Sequence, residues 1–134
     1  MIVVEASAIV DALVEEPVNA ALLAVLAKEE LHAPALLDFE VASALRGHVL
    51  GGLLDETRLH EAIDDFVGLS IQRHGMTAML GHVLDLRDNF TVYDASNVVL
   101  AQALDAPLIT TDDKLKEAER LDVVVQVVRP GAAG

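Results

Sequence analysis

The chain has 134 residues, 53% of them hydrophobic and 23% charged, with no cysteine. That is one domain's length with a globular balance, which excludes a disordered segment, and the missing thiols exclude a disulfide frame and a thiolate zinc site. Nine Lys and Arg against 22 Asp and Glu give a formal net charge of −13, which repels phosphate backbones at long range and favours cationic partners.

The first residues, MIVVE, form a β-branched run, and ASAIVDALVEE after them has helical spacing with Ser7 as its N-cap. Pro17 suits the first turn of a second, apolar helix over VNAALLAVLAKEE, followed by a short strand, LHAP, closed by Pro34. LLDFEVASALRGHVLGG reads as a helix stopped by Gly51-Gly52. In DETRLHEAIDDFVGL the apolar Leu59, Ala62, Ile63, Phe66 and Val67 recur at amphipathic-helix spacing. LSIQRH reads as a strand, MTAMLGHVLDLRDN as a helix, and TVYDASNVVLAQALD as a helix with Thr91 at its N-cap. APLITT is then a buried strand, DDKLKEAERL a short charged helix and DVVVQVV a last strand. Strands alternating with helices predict an α/β domain whose parallel sheet is covered on both faces.

The apolar N-terminus lacks a basic region and carries Glu5 and Asp11, and no apolar run reaches the eighteen or so residues of a membrane span. The expectation is therefore a cytoplasmic protein without a membrane segment.

In an open parallel sheet, ligands sit beyond the carboxyl ends of the strands. Glu5 ends the first strand, Asp112 follows APLITT, Asp94 lies in the first turn of the helix opened by Thr91, and Glu40 lies early in the helix after Pro34. Each has a structural reading as well: TVYD can be a capping-box variant, Asp112 a cap for DKLKEAERL, and Glu5 a charge at a helix N-terminus. Around Glu40, the small Ser43, Ala44 and Gly47 make a helix face suited to leaving space. If the acids meet, their repulsion calls for a cation, and oxygen ligands point to a hard ion, Mg²⁺ or Mn²⁺.

The segments IVVEASAIVDAL, APALLDFEVASALRG and RDNFTVYDASNVVLAQALDAPLITTDDKL, with the spacing between them, resemble the PIN-domain family, in particular toxins of the VapC type from bacterial toxin–antitoxin pairs. The resemblance implies a PIN-like three-layer α/β/α sandwich with a central, mostly parallel sheet over residues 1–130; the C-terminal PGAAG composition points to a flexible tail at 131–134. The resemblance also implies a homodimer, a VapB-like antitoxin partner and a metal-dependent endoribonuclease acting on RNA. The family's acidic site falls on Glu40, Asp94 and Asp112, with Ser7 and Thr110 as polar neighbours. At the first acid the family has aspartate before Ala-Ser, whereas this chain has Glu5. The extra methylene displaces that carboxylate by about 1.5 Å, and Mg²⁺ tolerates little departure from octahedral geometry.

On this reading Glu5, Asp94, Glu40 and Asp112 hold Mg²⁺ or Mn²⁺, which activates water for phosphodiester hydrolysis, with Asp112 or Glu40 as general base. Arg46, His48, Arg87 and Lys114 are the candidate RNA contacts, and Lys114 can equally complement Asp112 or Asp113. One Tyr and three Phe offer no expected stacking platform, and Tyr93 reads as packing. The stretches Val18 to Leu31 and Leu53 to Val67 are candidates for a docking face or for core. Two alternatives stand beside the nuclease: a PIN-fold binding module weakened by Glu5, and a phosphoacceptor receiver domain. Against the receiver, the first strand ends in one acid instead of a pair, and no aspartate closes a central apolar strand.

Overall fold

The computed structural model describes residues 1–128. The tail expected at 131–134 lies outside the described residues. Five short strands, β1 (Ile2–Val4), β2 (Leu31–Pro34), β3 (Ile71–His74), β4 (Leu108–Thr110) and β5 (Val125–Val127), form one sheet in the order β3-β2-β1-β4-β5. All four pairings are parallel. The central strand registers Val3 against both His32 of β2 and Leu108 of β4.

Parallel strands need crossovers, and among the described residues six α-helices supply those as far as β4 and a 3₁₀ helix the last one, to β5. The α-helices are α1 (Ala6–Val14), α2 (Ala20–Lys28), α3 (Leu37–Leu50), α4 (Glu56–Gly68), α5 (Leu80–Asp85) and α6 (Val92–Leu104). Side chains alternate along β1. Ile2 and Val4 enter a core with α1 to α4, while Val3 enters a second core with α5, α6 and the segment after β4. The sheet is thus buried on both faces, the expected three-layer sandwich.

The strand order reverses direction at β1. The chain runs outward through β2 and β3, then crosses the opposite face and returns to place β4 on the other side of β1. Adjacent crossovers leave a crevice at such a switch point, outside the carboxyl ends of the two strands. Here those ends are Val4 and Thr110, so Glu5 and Asp112 flank the crevice.

Several local expectations are corrected. The N-cap of α1 is Glu5, not Ser7, because the Glu5 carboxylate accepts the Ser7 backbone N–H. The second helix begins at Ala20, capped by Asn19, whose side chain accepts the Leu22 N–H, so Pro17 precedes the helix. The segment MTAMLGHVLDLRDN divides into a 3₁₀ helix, Thr77–Met79, and α5, and DDKLKEAERL forms a 3₁₀ helix, Asp113–Leu121. The stretches considered for docking are divided too. Leu22, Leu26, Ala62 and Phe66 are core, whereas Val18, Leu53 and Val67 are exposed. No helix among the described residues is long and apolar enough to cross a membrane.

Candidate active site

Glu5 leaves β1 and enters α1 with its side chain turned back over the helix N-terminus. Its Oε2 accepts hydrogen bonds from the Ser7 backbone N–H at 3.0 Å, from the Thr110 hydroxyl at 2.9 Å, and from the Ser7 hydroxyl. These bonds tie β1 to β4 across the switch point. Thr110 Oγ1 also accepts the Asp112 N–H at 3.0 Å, and Ser7 Oγ accepts the Thr111 N–H at 3.1 Å. The two polar neighbours expected from the sequence therefore lock the strand ends and orient Glu5.

The other acids come from helix starts. Thr91 caps α6 by accepting the Asp94 N–H at 3.1 Å, which fixes Asp94 in the first turn with its side chain largely buried. Glu40 lies in the first turn of α3. Burial pushes Glu40 up, and the charges of Glu5 and then Asp94 add to the rise, to about 7. Burial likewise pushes Glu5 up; hydrogen bonds from Ser7 and Thr110 pull it back, and the Asp94 charge raises it further. Three acids from distant points of the chain thus feel one another's charge, with Asp94 acting on both glutamates.

Asp112 joins this group through a cation. Lys114 Nζ stands 3.4 Å from Asp94 Oδ2 and 3.4 Å from Asp112 Oδ2, and the two carboxylates raise the Lys114 ammonium above its usual range, Asp94 most. Asp112 also caps its 3₁₀ helix, its side chain accepting the Lys114 N–H at 3.1 Å. Both structural roles foreseen for this segment, the Thr91 turn and the Asp112 cap, are present, and they coexist with the assembly of the acids.

In charge and chemistry these side chains suit a hard divalent cation: every donor atom is a carboxylate oxygen, and the Lys114 ammonium already sits between two of the carboxylates. Among the described residues no group of three or more His, Asp or Glu side chains stands in ligating geometry. Mg²⁺ does not require one, since it is usually held by one or two carboxylates and keeps several waters.

Of the candidate RNA contacts, only Lys114 reaches the acids. Arg46 is exposed and borders an apolar groove between α3 and α4, with Leu59, Ile63 and Phe66. His48 lies half-buried in the last turn of α3, and Arg87 donates to the Leu84 carbonyl at 3.0 Å. A feature that the sequence reading passes over lies on the other side of Glu40. A cavity of about 500 Å³ is lined by Leu36, Phe39, Glu40, Ser43, Ala44 and Tyr93. Phe39 is 74% exposed and Tyr93 57%, so Tyr93 is not the packing residue expected. The available signal is that each aromatic directly precedes an acid early in a helix, Phe39-Glu40 and Tyr93-Asp94.

A doubly covered parallel α/β sheet with carboxylates beyond the strand ends at its switch point defines a class of α/β domain with an acidic crevice. The family model described as "PIN domain" matches residues 2–121, and the chain belongs to the PIN-domain family. Ribonuclease VapC1 of Mycobacterium tuberculosis is 40% identical over 129 residues, 95% of this chain and 97% of that protein. Ribonuclease VapC12 of the same organism is 33% identical over 128 residues, 96% of this chain and 99% of the relative. The VapC ribonuclease Mb0985 of Mycobacterium bovis is 34% identical over 128 residues, covering 96% and 98%. Neither the receiver-domain reading nor the reading as a binding module gains support from these matches.

Proposed function

We propose that this chain is a metal-dependent endoribonuclease toxin of the VapC type, hydrolysing RNA phosphodiesters and held in check by a VapB-like antitoxin. The observation that carries the reading is the mutual coupling of Glu5, Glu40 and Asp94 at the switch point, joined to Asp112 through Lys114, in a chain whose relatives are ribonucleases over nearly their whole length. Asp94 and Asp112 would hold Mg²⁺ or Mn²⁺, assisted by Glu5. The ion supplies charge neutralisation at the phosphodiester and lowers the pKa of water.

The protein's own groups perform the rest. Ser7 and Thr110 hold Glu5 by one oxygen, Oε2, leaving Oε1 without a hydrogen-bond partner among the described residues. Glu40, pushed up to about 7, holds or releases a proton near neutral pH, which suits a general base accepting the proton of the attacking water. A cytoplasmic homodimer is the assembly this reading carries, and the exposed Val18, Leu53 and Val67 are available to a partner chain.

The test is calorimetric titration of Mg²⁺ and Mn²⁺ into the protein and into Asp94→Asn, with cleavage of total cellular RNA assayed under the same ions and under chelation. Ion binding lost in the variant, together with cleavage confined to ion-containing reactions, is the expected result. Ion binding without cleavage would sink the nuclease and leave a binding module; absence of both would reduce the acids to caps.

A further inference from the structure

We infer that the cavity bordered by Phe39 and Tyr93 is a nucleobase subsite, which holds an unpaired RNA base beside the phosphodiester to be cut. The inference rests on the nuclease reading for the identity of its ligand and adds to it a recognition element for one unpaired base.

Leaving Phe39 74% and Tyr93 57% exposed forgoes the burial that aromatic residues normally contribute to a core. Both rings border one cavity, and Glu40 supplies part of its wall. Glu40 belongs to the acid group itself and Tyr93 directly precedes Asp94, so the cavity adjoins the carboxylates and does not lie on a remote face.

The backbone holds the aromatic pair in place. Tyr93 stands in the first turn of α6, behind the Thr91 cap, and its carbonyl accepts the Ser96 hydroxyl at 2.6 Å and the Asn97 side-chain N–H at 3.1 Å. Phe39 stands in the first turn of α3, its N–H bonded to the Leu36 carbonyl at 3.1 Å. The cavity wall between them is kept open by small residues, Ser43 and Ala44, one turn beyond Glu40.

A volume of about 500 Å³ falls in the range of small-molecule sites, and it combines apolar walls with a hydroxyl and a carboxyl. That is the chemistry of a planar heterocycle with hydrogen-bonding edges. It fits the electrostatics as well. With a net charge of −13, the surface repels the RNA backbone at long range, so attachment must come from neutral, short-range contacts or from a local cation. Base–aromatic stacking is such a contact, and it requires an unpaired base.

Tyr93 is the only tyrosine and the chain has no tryptophan, so tyrosine emission reports this cavity alone. Nuclease-resistant phosphorothioate oligoribonucleotides, single-stranded and either base-bearing or abasic at the central positions, are titrated into the protein in Mg²⁺. The expected result is quenching of Tyr93 by the base-bearing strands and not by the abasic ones. Phe39→Leu should weaken binding of base-bearing strands by about fivefold or more, the lower end for loss of one stacking contact, while leaving abasic strands and calorimetric Mg²⁺ binding unchanged. Tyr93→Phe should bind like the parent in a fluorescence-anisotropy assay with labelled strands.

Equal binding of abasic and base-bearing strands, or no effect of Phe39→Leu, would overturn the subsite; cleavage of cellular RNA by the same preparation would then leave the nuclease reading intact. Base-dependent quenching without any cleavage would do the reverse. Tyr93 emission that responds to protein dilution and not to RNA would assign the aromatic pair to a contact between two copies and overturn the proposal.

Discussion

Glu5 carries two demands at once. Its Oε2 caps α1 through the Ser7 N–H and links β1 to β4 through Thr110, while its charge is felt by Glu40. Glu5→Asp tests the two separately. Aspartate is itself a favoured N-cap and opens only a methylene-sized void, so thermal stability should change by no more than about 1 kcal/mol. The shorter carboxylate should restore the ligand geometry usual in the family and tighten Mn²⁺ binding on the order of tenfold, read by calorimetry. Unchanged Mn²⁺ affinity would confine Glu5 to capping. Lys114 supports a prediction of the opposite kind. Its ammonium lies 3.4 Å from both Asp94 and Asp112, where it competes with a divalent ion, yet its side chain is 61% exposed and contributes little to stability. Lys114→Ala should therefore raise Mg²⁺ and Mn²⁺ affinity several-fold with an almost unchanged melting temperature; a loss of affinity would show that Lys114 positions the carboxylates.

At the scale of elements, the site depends on segments that end where the chemistry begins. Asp112 follows β4 and caps the 3₁₀ helix after it, so removing its side chain confounds stability with function. Asparagine resolves the two, since it caps as well as aspartate but carries no charge. Asp112→Asn should keep the melting temperature and lose at least tenfold in ion affinity, whereas Asp112→Ala should lose the affinity and about 1 kcal/mol of stability as well, measured by thermal denaturation. Equal ion affinity in the parent and Asp112→Asn would leave only the cap. The same segment marks where the sequence is legible. The alternation of β-branched runs with helical spacing is enough to predict a doubly covered parallel sheet, and acids at strand ends are enough to locate the crevice. The 3₁₀ geometry is also written there, because Leu115, Ala118 and Leu121 recur every third residue, but a short charged run reads equally as an α-helix. The cap of α1 is harder to read. Glu5-Ala6-Ser7 offers two side chains able to accept an amide proton, and Thr110, more than a hundred positions away in sequence, orients Glu5 toward that role. Tyr93 is misread for a related reason: helical position alone does not say which face of α6 the rest of the chain covers.

For the whole molecule, the governing quantity is the charge that folding concentrates at the switch point. The unfolded chain keeps its acids apart in water, each near the usual carboxylate range, while the folded chain brings Glu5, Glu40 and Asp94 into mutual repulsion in a partly desolvated crevice. Glu40 consequently binds its proton up to about pH 7 in the folded state, against 4.5 when unperturbed. Between those values the folded protein carries more protons than the unfolded one, so stability must fall as pH rises through this window and level off above it. Below about pH 4.5 the group is protonated in both states and contributes no slope. Burial favours the effect and solvent screening reduces it, leaving about 1–2 kcal/mol for Glu40. A divalent ion acts only on the ionised form and so opposes this loss. In chelator the melting temperature should decline from pH 5 to pH 8, and saturating Mg²⁺ or Mn²⁺ should raise it selectively at pH 8, where all the acids are charged. Glu40→Gln should flatten the decline in chelator, because its amide has no proton to lose. A decline that persists in Glu40→Gln would place the titration on Glu5, whose carboxyl is raised by the same burial. A profile that rises from pH 5 to pH 8 in chelator would mean that the acids are not gathered in the folded chain.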